Sequence, residues 1–217
     1  MFMPANVTII GNLFDSAATV QPFVASQAFK GSLLQLESGT RNCIVNFENN
    51  SVDDSFSLGG EASLVYVEGA ALSASKNLFR RVGLMNTQLQ SFVKDKSLKS
   101  SASYFPVDAA LWSSRTWTQE KGVFWIKGIR KGEDFFTPQR HSFVENEFSF
   151  IFCGAGCAVT HEQPDQGQPV YAEFVNNTYR DVYGLKGVIL YSKVAQQTTA
   201  PGTYVIFNAT LETIERV

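Results

Sequence analysis

A short pattern of apolar and polar positions, apolar–x–x–Asn–x–apolar, recurs along the chain at nearly constant spacing. In the second half it reads Phe143-Val-Glu-Asn-Glu-Phe148, then Phe174-Val-Asn-Asn-Thr-Tyr179, then Ile206-Phe-Asn-Ala-Thr-Leu211. The final apolar positions of these copies are 31 and 32 residues apart. Earlier copies carry Asn12, Asn50 and Asn77. Self-similarity at a period of about 20 to 50 residues indicates stacked repeats, so the pattern predicts a solenoid.

The elements inside one repeat are strands and turns. Between Phe47 and Phe79 a polar turn leads to Gly59-Gly60, then to the alternating strand Ala62–Val67, and then to a second strand and turn. This order is the one expected of one coil of a parallel β-helix. In such a coil, equivalent side chains stack about 4.8 Å apart and form rows. Asn suits the turn because it tolerates left-handed backbone angles, and its amide can bond to the Asn above and below as a ladder.

Composition agrees with a strand-rich chain. Of the 217 residues 44% are hydrophobic and only 18% are charged, while Phe (18) and Gly (16) are plentiful. No apolar run reaches the roughly eighteen residues of a membrane span. The start, Met1–Asn6, has neither a basic segment nor an apolar segment of the signal-peptide kind. Four N-glycosylation sequons are nevertheless present, and repeat motifs run from Val7 to the last residues. We therefore expect residues 1–217 to be a single β-helix segment of a longer secreted chain whose signal lies elsewhere.

Several phrases resemble those of a known fold family. They are Asn176-Asn-Thr-Tyr179, Asn49-Asn-Ser-Val52, Gly59-Gly60 and the strand Leu64-Val-Tyr-Val67. They look like the right-handed parallel β-helix, pectin-lyase-like superfamily, and are similar to the degenerate Asn-Asn-Thr-Phe repeats of large protist and bacterial surface proteins. The resemblance covers 5–80 and 120–217 and implies an all-β, right-handed parallel β-helix with a loop excursion.

The excursion is expected at 83–122, where the rhythm of the repeat is interrupted. Residues 76–131 hold eleven Lys and Arg against three acidic residues, between two acidic flanks. Trp112, Arg115, Trp117 and Trp125 lie in this basic segment. Exposed aromatic rings stack on sugars or anchor protein interfaces, and Arg adds charge-assisted contacts. These four residues form a candidate binding surface, or else the tryptophans pack the excursion back onto the solenoid.

Four N-glycosylation sequons are present, at Asn6, Asn49, Asn176 and Asn208. The last three hold the same place in the repeat, three residues before an apolar anchor. If the anchors point inward, alternation places these asparagines on the outer face, where a glycan must be attached. The other reading is that Asn-x-Ser/Thr simply suits a turn.

The three cysteines do not form a metal-binding set. Cys153 and Cys157 are separated by flexible glycines and are either joined in a local disulfide or present as thiols. Cys43 is expected in the core.

No catalytic constellation is evident, and we expect no cofactor and no metal. Asp53 and Asp54 are the adjacent carboxylate pair that most resembles an active site, and they are expected to be solvated turn residues. His141 and His161 are expected in separate turns, with structural or exposed roles.

These observations favour a non-enzymatic, secreted or cell-surface glycoprotein segment with a structural or adhesive role, perhaps in a filament. Its expected partners are other copies of itself, other surface proteins or carbohydrate, and not nucleic acid, because the chain is acidic and has no recognition motif. The alternative is a carbohydrate-active enzyme (polysaccharide lyase or hydrolase) or a carbohydrate-binding module on the same fold. A third reading, a β-sandwich binding module, would be excluded by strands stacking in parallel.

Overall fold

A computed structural model describes residues 6–15, 18–20, 31, 33–37, 43–58, 63–85, 121–128, 139–163, 170–194 and 203–216. Within these residues every regular element is a β-strand, and all strand pairs are parallel. A β-sandwich is built from antiparallel sheets and is therefore excluded. The predicted parallel β-helix is confirmed. No helix in this part of the chain is long and apolar enough to cross a membrane.

Three sheets run along the described solenoid, and the chain passes through them in the order A, B, C. The first coil places two strands in sheet B, and the last coil has described strands in sheets A and B only. Sheet A contains β1 (Asn6–Ile10), β5 (Ile44–Glu48), β8 (Ala71–Ser75), β11 (Gln139–Val144), β14 (Val170–Val175) and β17 (Thr203–Phe207). Sheet B contains β2 (Leu13–Asp15), β3 (Ala18–Val20), β6 (Ser51–Leu58), β9 (Leu78–Met85), β12 (Glu147–Ala155), β15 (Thr178–Lys186) and β18 (Thr210–Arg216). Sheet C contains β4 (Leu34–Glu37), β7 (Val65–Glu68), β10 (Phe124–Lys127), β13 (Val159–Gln163) and β16 (Leu190–Val194).

The turn between sheets A and B has the same backbone in all six coils. Its first residue is left-handed, a conformation that Gly and Asn adopt most readily. The residues in this position are Gly11, Asn49, Lys76, Glu145, Asn176 and Asn208, with φ between +51° and +71°. The next residue points inward and is Asn in five of the six coils. The chain therefore changes direction beside an inward Asn, whose side-chain amide can form hydrogen bonds with the backbone N–H and C=O groups of the turn.

These inward asparagines form the predicted ladder. The Asn146 backbone N–H and side-chain Nδ2 both donate to Asn177 Oδ1, at 2.9 and 3.0 Å. Its Nδ2 also donates to the Ala74 carbonyl of the preceding coil at 2.9 Å. The same contacts recur along the row, which consists of Asn12, Asn50, Asn77, Asn146 and Asn177. The sixth position is Ala209, which has no side-chain amide, so Asn177 is the last rung of the ladder.

The interior beside the ladder is aromatic. Phe148 stacks on Phe79 and on Tyr179, with ring centroids 5.1 and 5.3 Å apart. Phe124 of sheet C meets Phe79 edge-on at 5.3 Å. All four side chains are buried. Rings stacked in register fix the spacing of the coils, and the edge-on ring joins the third sheet to the other two.

The predicted excursion at 83–122 is wrong at its first boundary. Residues 83–85 still pair with sheet B as the end of β9, in register with β6. Lys121 and Gly122 are also described, and both are buried. Residues 86–120 and Gly59-Gly60 lie outside the described residues. The coil resumes at β10 in register with β7, so sheet C continues from β7 to β13 through β10.

The ladder can be tested by removing one rung and adding another. Asn146→Ala should lower the free energy of unfolding by about 2–4 kcal/mol, because each buried polar group left unpaired costs about 1–3 kcal/mol. Ala209→Asn supplies the missing acceptor for Asn177 and should raise stability by roughly 0.5–1.5 kcal/mol. Chemical denaturation followed by circular dichroism measures both. A neutral Asn146→Ala variant would contradict the assigned role of the row.

Candidate functional site

The sequon asparagines lie where the repeat predicted them. Asn49, Asn176 and Asn208 are exposed, and each occupies the left-handed turn position. Asn6 is also exposed, at the start of β1. The backbone N–H of Asn176 donates to the Phe207 carbonyl at 3.0 Å, so the backbone is fixed and the side chain is left facing solvent. The row therefore offers accessible amides on one edge of the solenoid.

Asp53 and Asp54 are part of an ion-pair cluster on sheet B, and the prediction that they are solvated turn residues is wrong. Both lie within β6, which bends at Asp54 because that residue is left-handed (φ 45°). Arg81 donates from Nε and Nη2 to the two Asp54 carboxylate oxygens, at 2.5 and 2.9 Å. Its Nη2 is also 2.6 Å from Asp53 Oδ1. The hydrogen bond to Asp54 raises the pKa of the Arg81 guanidinium.

The repeat itself contained the signal for this cluster. Asp54 and Arg81 each lie two residues after an apolar anchor, Val52 and Phe79, which are paired in the sheet. Extending the recurring phrase by two positions beyond its last anchor places Asp54 and Arg81 side by side. Because the forked guanidinium matches the carboxylate geometry, the charges in the cluster are largely satisfied by one another.

His141 and His161 lie in strands β11 and β13, not in turns, and both are buried inside the solenoid. His141 Nδ1 accepts a hydrogen bond from the Leu72 backbone N–H at 3.2 Å. His161 Nδ1 lies within hydrogen-bond distance of the Tyr204 hydroxyl and 3.4 Å from Ser192 Oγ. The Nε2 atom of each imidazole is buried without a hydrogen-bond partner.

Burial determines the charge state of these two imidazoles. It lowers the pKa of His141 to about 3, with a further contribution from the nearby His161. It lowers the pKa of His161 to about 4, against a smaller opposing effect of Glu162. Both rings are therefore neutral at physiological pH. Since neither is accessible to solvent, they can position polar groups of the interior but cannot act on an external substrate.

Trp125 does not belong to an exposed binding surface. Its side chain is only 2% exposed and lies 4.4 Å from the Tyr66 ring, measured between centroids. The Lys121 ammonium is 3.5 Å from the centroid of the Trp125 ring and forms an ion pair with Glu162. The prediction is therefore wrong for this residue, whose indole is a packing element. Trp112, Arg115 and Trp117 lie outside the described residues.

Of the two alternatives that the sequence left open for Cys153 and Cys157, the structure contains the disulfide, and it places Cys43 in the core as expected. Cys153 and Cys157 are joined in a disulfide whose Cα atoms are 5.3 Å apart, and both residues are fully buried. Gly184 of the next coil lies against this bridge, where an added Cβ would come within 3.0 Å of Cys157 Sγ. Cys43 is a buried free thiol whose pKa is raised by burial. Among the described residues, no group of His, Cys, Asp and Glu is arranged to bind a metal ion.

The buried imidazoles predict a pH dependence of stability. Below about pH 6.5 the unfolded chain protonates its histidines while the folded chain does not, so the free energy of unfolding falls as pH falls toward 4. Between pH 7 and 5 the loss should be roughly 2 kcal/mol per imidazole. The variant H141Q/H161Q lacks every histidine of the chain. Urea denaturation at both pH values should therefore show a smaller loss in this variant, and an equal loss in both proteins would contradict the assignment.

The ion-pair cluster predicts an unequal effect of two similar substitutions. Arg81→Asn keeps a residue that tolerates the left-handed backbone but leaves two half-buried carboxylates without their cation. It should therefore cost about 1–3 kcal/mol. Lys76→Asn is the matched control, since Lys76 is also left-handed and its contact with Glu145 is long and exposed. Its cost should be below about 0.5 kcal/mol. Thermal denaturation compares them, and equal losses would contradict the cluster's role.

Comparisons of the chain with protein-family models, with curated proteins and with solved structures gave no match. The resemblance to pectin-lyase-like repeat proteins therefore stays a prediction that rests on the short phrases of the sequence.

Proposed function

We propose that this chain is a segment of a secreted or cell-surface glycoprotein with a structural or adhesive role and no catalysis of its own. The observation that carries the proposal is the row formed by Asn49, Asn176 and Asn208, whose side chains are exposed on one edge of a rigid solenoid. Each belongs to a complete sequon, and attachment of a glycan requires an accessible amide. Extracellular or cell-surface localisation follows from this modification.

The buried disulfide adds support for the same compartment. Disulfides persist in oxidising compartments and are rare where thiols are kept reduced. The bridge between Cys153 and Cys157 is enclosed by the core, and its neighbour Gly184 leaves room for it.

The backbone geometry of the turn by itself also favours Asn-x-Ser/Thr sequences. The left-handed position favours Asn, the next position provides the ladder rung, and the third begins a strand that accepts Ser or Thr. Two of the six turns, those that begin at Asn49 and Asn176, combine all three choices, and the turn at Asn208 lacks the ladder rung. Lys76 and Glu145 show that the left-handed position also accepts other residues. Whether the sequons carry glycans therefore distinguishes N-glycosylation sites from sequences that are present only because they suit the turn.

The Asp53–Asp54–Arg81 cluster favours a second candidate, a carbohydrate-active enzyme or a carbohydrate-binding module on the same fold. Carboxylates beside a cation on one outer sheet are the groups such an enzyme needs. Arg81 already engages both oxygens of Asp54 and one of Asp53. A substrate would have to displace these contacts, so we rank this function second.

The proposed function is tested by the mass of the natively purified protein before and after enzymatic removal of N-glycans. We expect a mass loss that peptide mapping places at Asn49, Asn176 and Asn208. Thr178→Ala destroys one sequon while keeping Asn176, and it should abolish modification at that asparagine alone. A bare polypeptide mass at all sites would contradict the glycoprotein proposal.

A further inference from the structure

Unpaired polar atoms are concentrated in the interior of one coil, the coil that contains β11, β12 and β13. Among the buried side-chain atoms of the described residues, those without a hydrogen-bond partner include His141 Nε2, His161 Nε2 and both amide atoms of Gln139. Gln139 and His141 belong to β11, and His161 belongs to β13. Buried polar groups in proteins are paired in the great majority of cases, with protein groups or with ordered water, so these atoms indicate a bound partner.

These three side chains face the same interior space. Side chains alternate between the two faces of a strand, so Gln139 and His141 share the inward face of β11 with Phe143, which belongs to the core. His161 shares the inward face of β13 with the core residue Val159. The two imidazoles also interact electrostatically, because the nearby His161 contributes to the lowered pKa of His141, after the larger effect of burial. The polar groups therefore lie together inside the corner between sheets C and A.

The following coil supplies no side-chain partner to the two polar residues of β11. In the parallel register it places Val170 beside Gln139 and Ala172 beside His141. Both neighbours are buried apolar side chains, so they cannot form hydrogen bonds. The side chain of Ala172 is a single methyl group, which fills less of the interior beside the imidazole than a larger residue would.

The hydrogen bonds at the Nδ1 atoms determine the chemistry of the Nε2 atoms. Both imidazoles are neutral at pH 7, so each ring has one N–H donor and one acceptor nitrogen. His141 Nδ1 accepts from the Leu72 backbone N–H, which places the ring proton on Nε2. His161 Nδ1 faces the Tyr204 hydroxyl, which is 2.7 Å from Ser192 Oγ. A phenol is a stronger acid than a serine hydroxyl, so Tyr204 donates to Nδ1 and the proton of His161 is also on Nε2.

We propose that Gln139, His141 and His161 bind internal water, which is a permanent part of the fold at this coil. Water both accepts and donates hydrogen bonds, so it accepts from the two Nε2–H groups and donates to Gln139 Oε1. Buried waters typically make about three hydrogen bonds of this kind, to groups that are otherwise unsatisfied. The water connects sheets A and C, which have no strand pairing with each other. This inference does not depend on the proposed function, because it concerns the interior and not the sequons.

Two other kinds of occupant do not fit these atoms. A metal ion binds an unprotonated imidazole nitrogen, and here both Nε2 atoms carry the ring proton. An anion would accept from the two N–H groups but would leave Gln139 Oε1 without a donor. A charge enclosed in an apolar interior is also costly unless an opposite charge pairs with it. A neutral molecule that both donates and accepts satisfies all of these groups.

Nuclear magnetic resonance of the folded chain, labelled with ¹⁵N at histidine, tests this site. The chain has two histidines, so each ring can be assigned by substitution of the other. Long-range ¹H–¹⁵N correlation at pH 7 should show the Nε2–H tautomer for both rings. The Hδ2 proton of each ring is next to Nε2 and does not exchange with solvent. It should therefore show NOE and ROE cross-peaks to water with opposite signs, as expected of a long-lived bound molecule.

Two substitutions near the rings serve as variant and matched control. Gln139→Leu removes the acceptor for the water, so the water cross-peaks of His141 should be lost. Ser192→Ala acts on the Nδ1 side of His161 and should leave the cross-peaks of His141 unchanged. Circular dichroism and thermal midpoints check that both variants are folded. Cross-peaks of His141 that persist in Gln139→Leu, or that are lost equally in both variants, would overturn the proposal.

The wild-type spectra give further outcomes. Absence of water cross-peaks at the Hδ2 of either ring, or an Nδ1–H tautomer at His141, would overturn the water site. Stoichiometric Zn²⁺ should leave both Nε2–H signals in place, and their loss would assign the rings to a metal instead. Failure of the water site leaves the glycoprotein proposal intact, and a bare polypeptide mass leaves the water site intact.

Discussion

The parallel register of the coils depends on the buried asparagine ladder. Each coil must leave sheet A through a left-handed residue, and the backbone groups exposed at that corner need partners inside an apolar interior. Asn12, Asn50, Asn77 and Asn146 supply them, with N–H to Oδ1 distances of 2.9–3.0 Å to the next rung. A shift of the strand register by one residue would point every ladder asparagine and every apolar anchor outward. The corner therefore fixes the register of sheets A and B together.

Because this corner holds the register, the rest of the coil can vary in length. Residues 86–123 connect β9 to β10, whereas 156–158 connect the equivalent strands β12 and β13. Both connections return the chain to sheet C in register. Phe124 then contacts the aromatic rows from the third side. Insertions that leave the Asn turn untouched cost little more than loop entropy, which grows slowly with length.

The sequence predicted the parts of the structure that repeat. The turn phrase located all five rungs, the inward anchors and the outward face of Asn49, Asn176 and Asn208. Contacts that depend on coil length were not predictable in the same way. His161 meets Tyr204 across 43 residues and Trp125 meets Tyr66 across β7 and β10, because variable connections bring sheet C into place. Asp54 and Arg81 each follow an anchor by two residues, so the period relates them. The recurring phrase ends at the anchor and does not include these positions, so it did not predict the pair.

Hydrogen exchange at the rungs tests most directly whether the ladder holds the coils together. The backbone amides of Asn50, Asn77 and Asn146 donate to side-chain oxygens in the interior. They should therefore exchange only through global unfolding, with protection equal to the full stability of the chain. The amide of Asn177 faces Ala209, which offers no side-chain acceptor, and it should exchange faster. Rapid exchange at Asn77 and Asn146, or protection of Asn177 equal to theirs, would contradict the central role of the ladder.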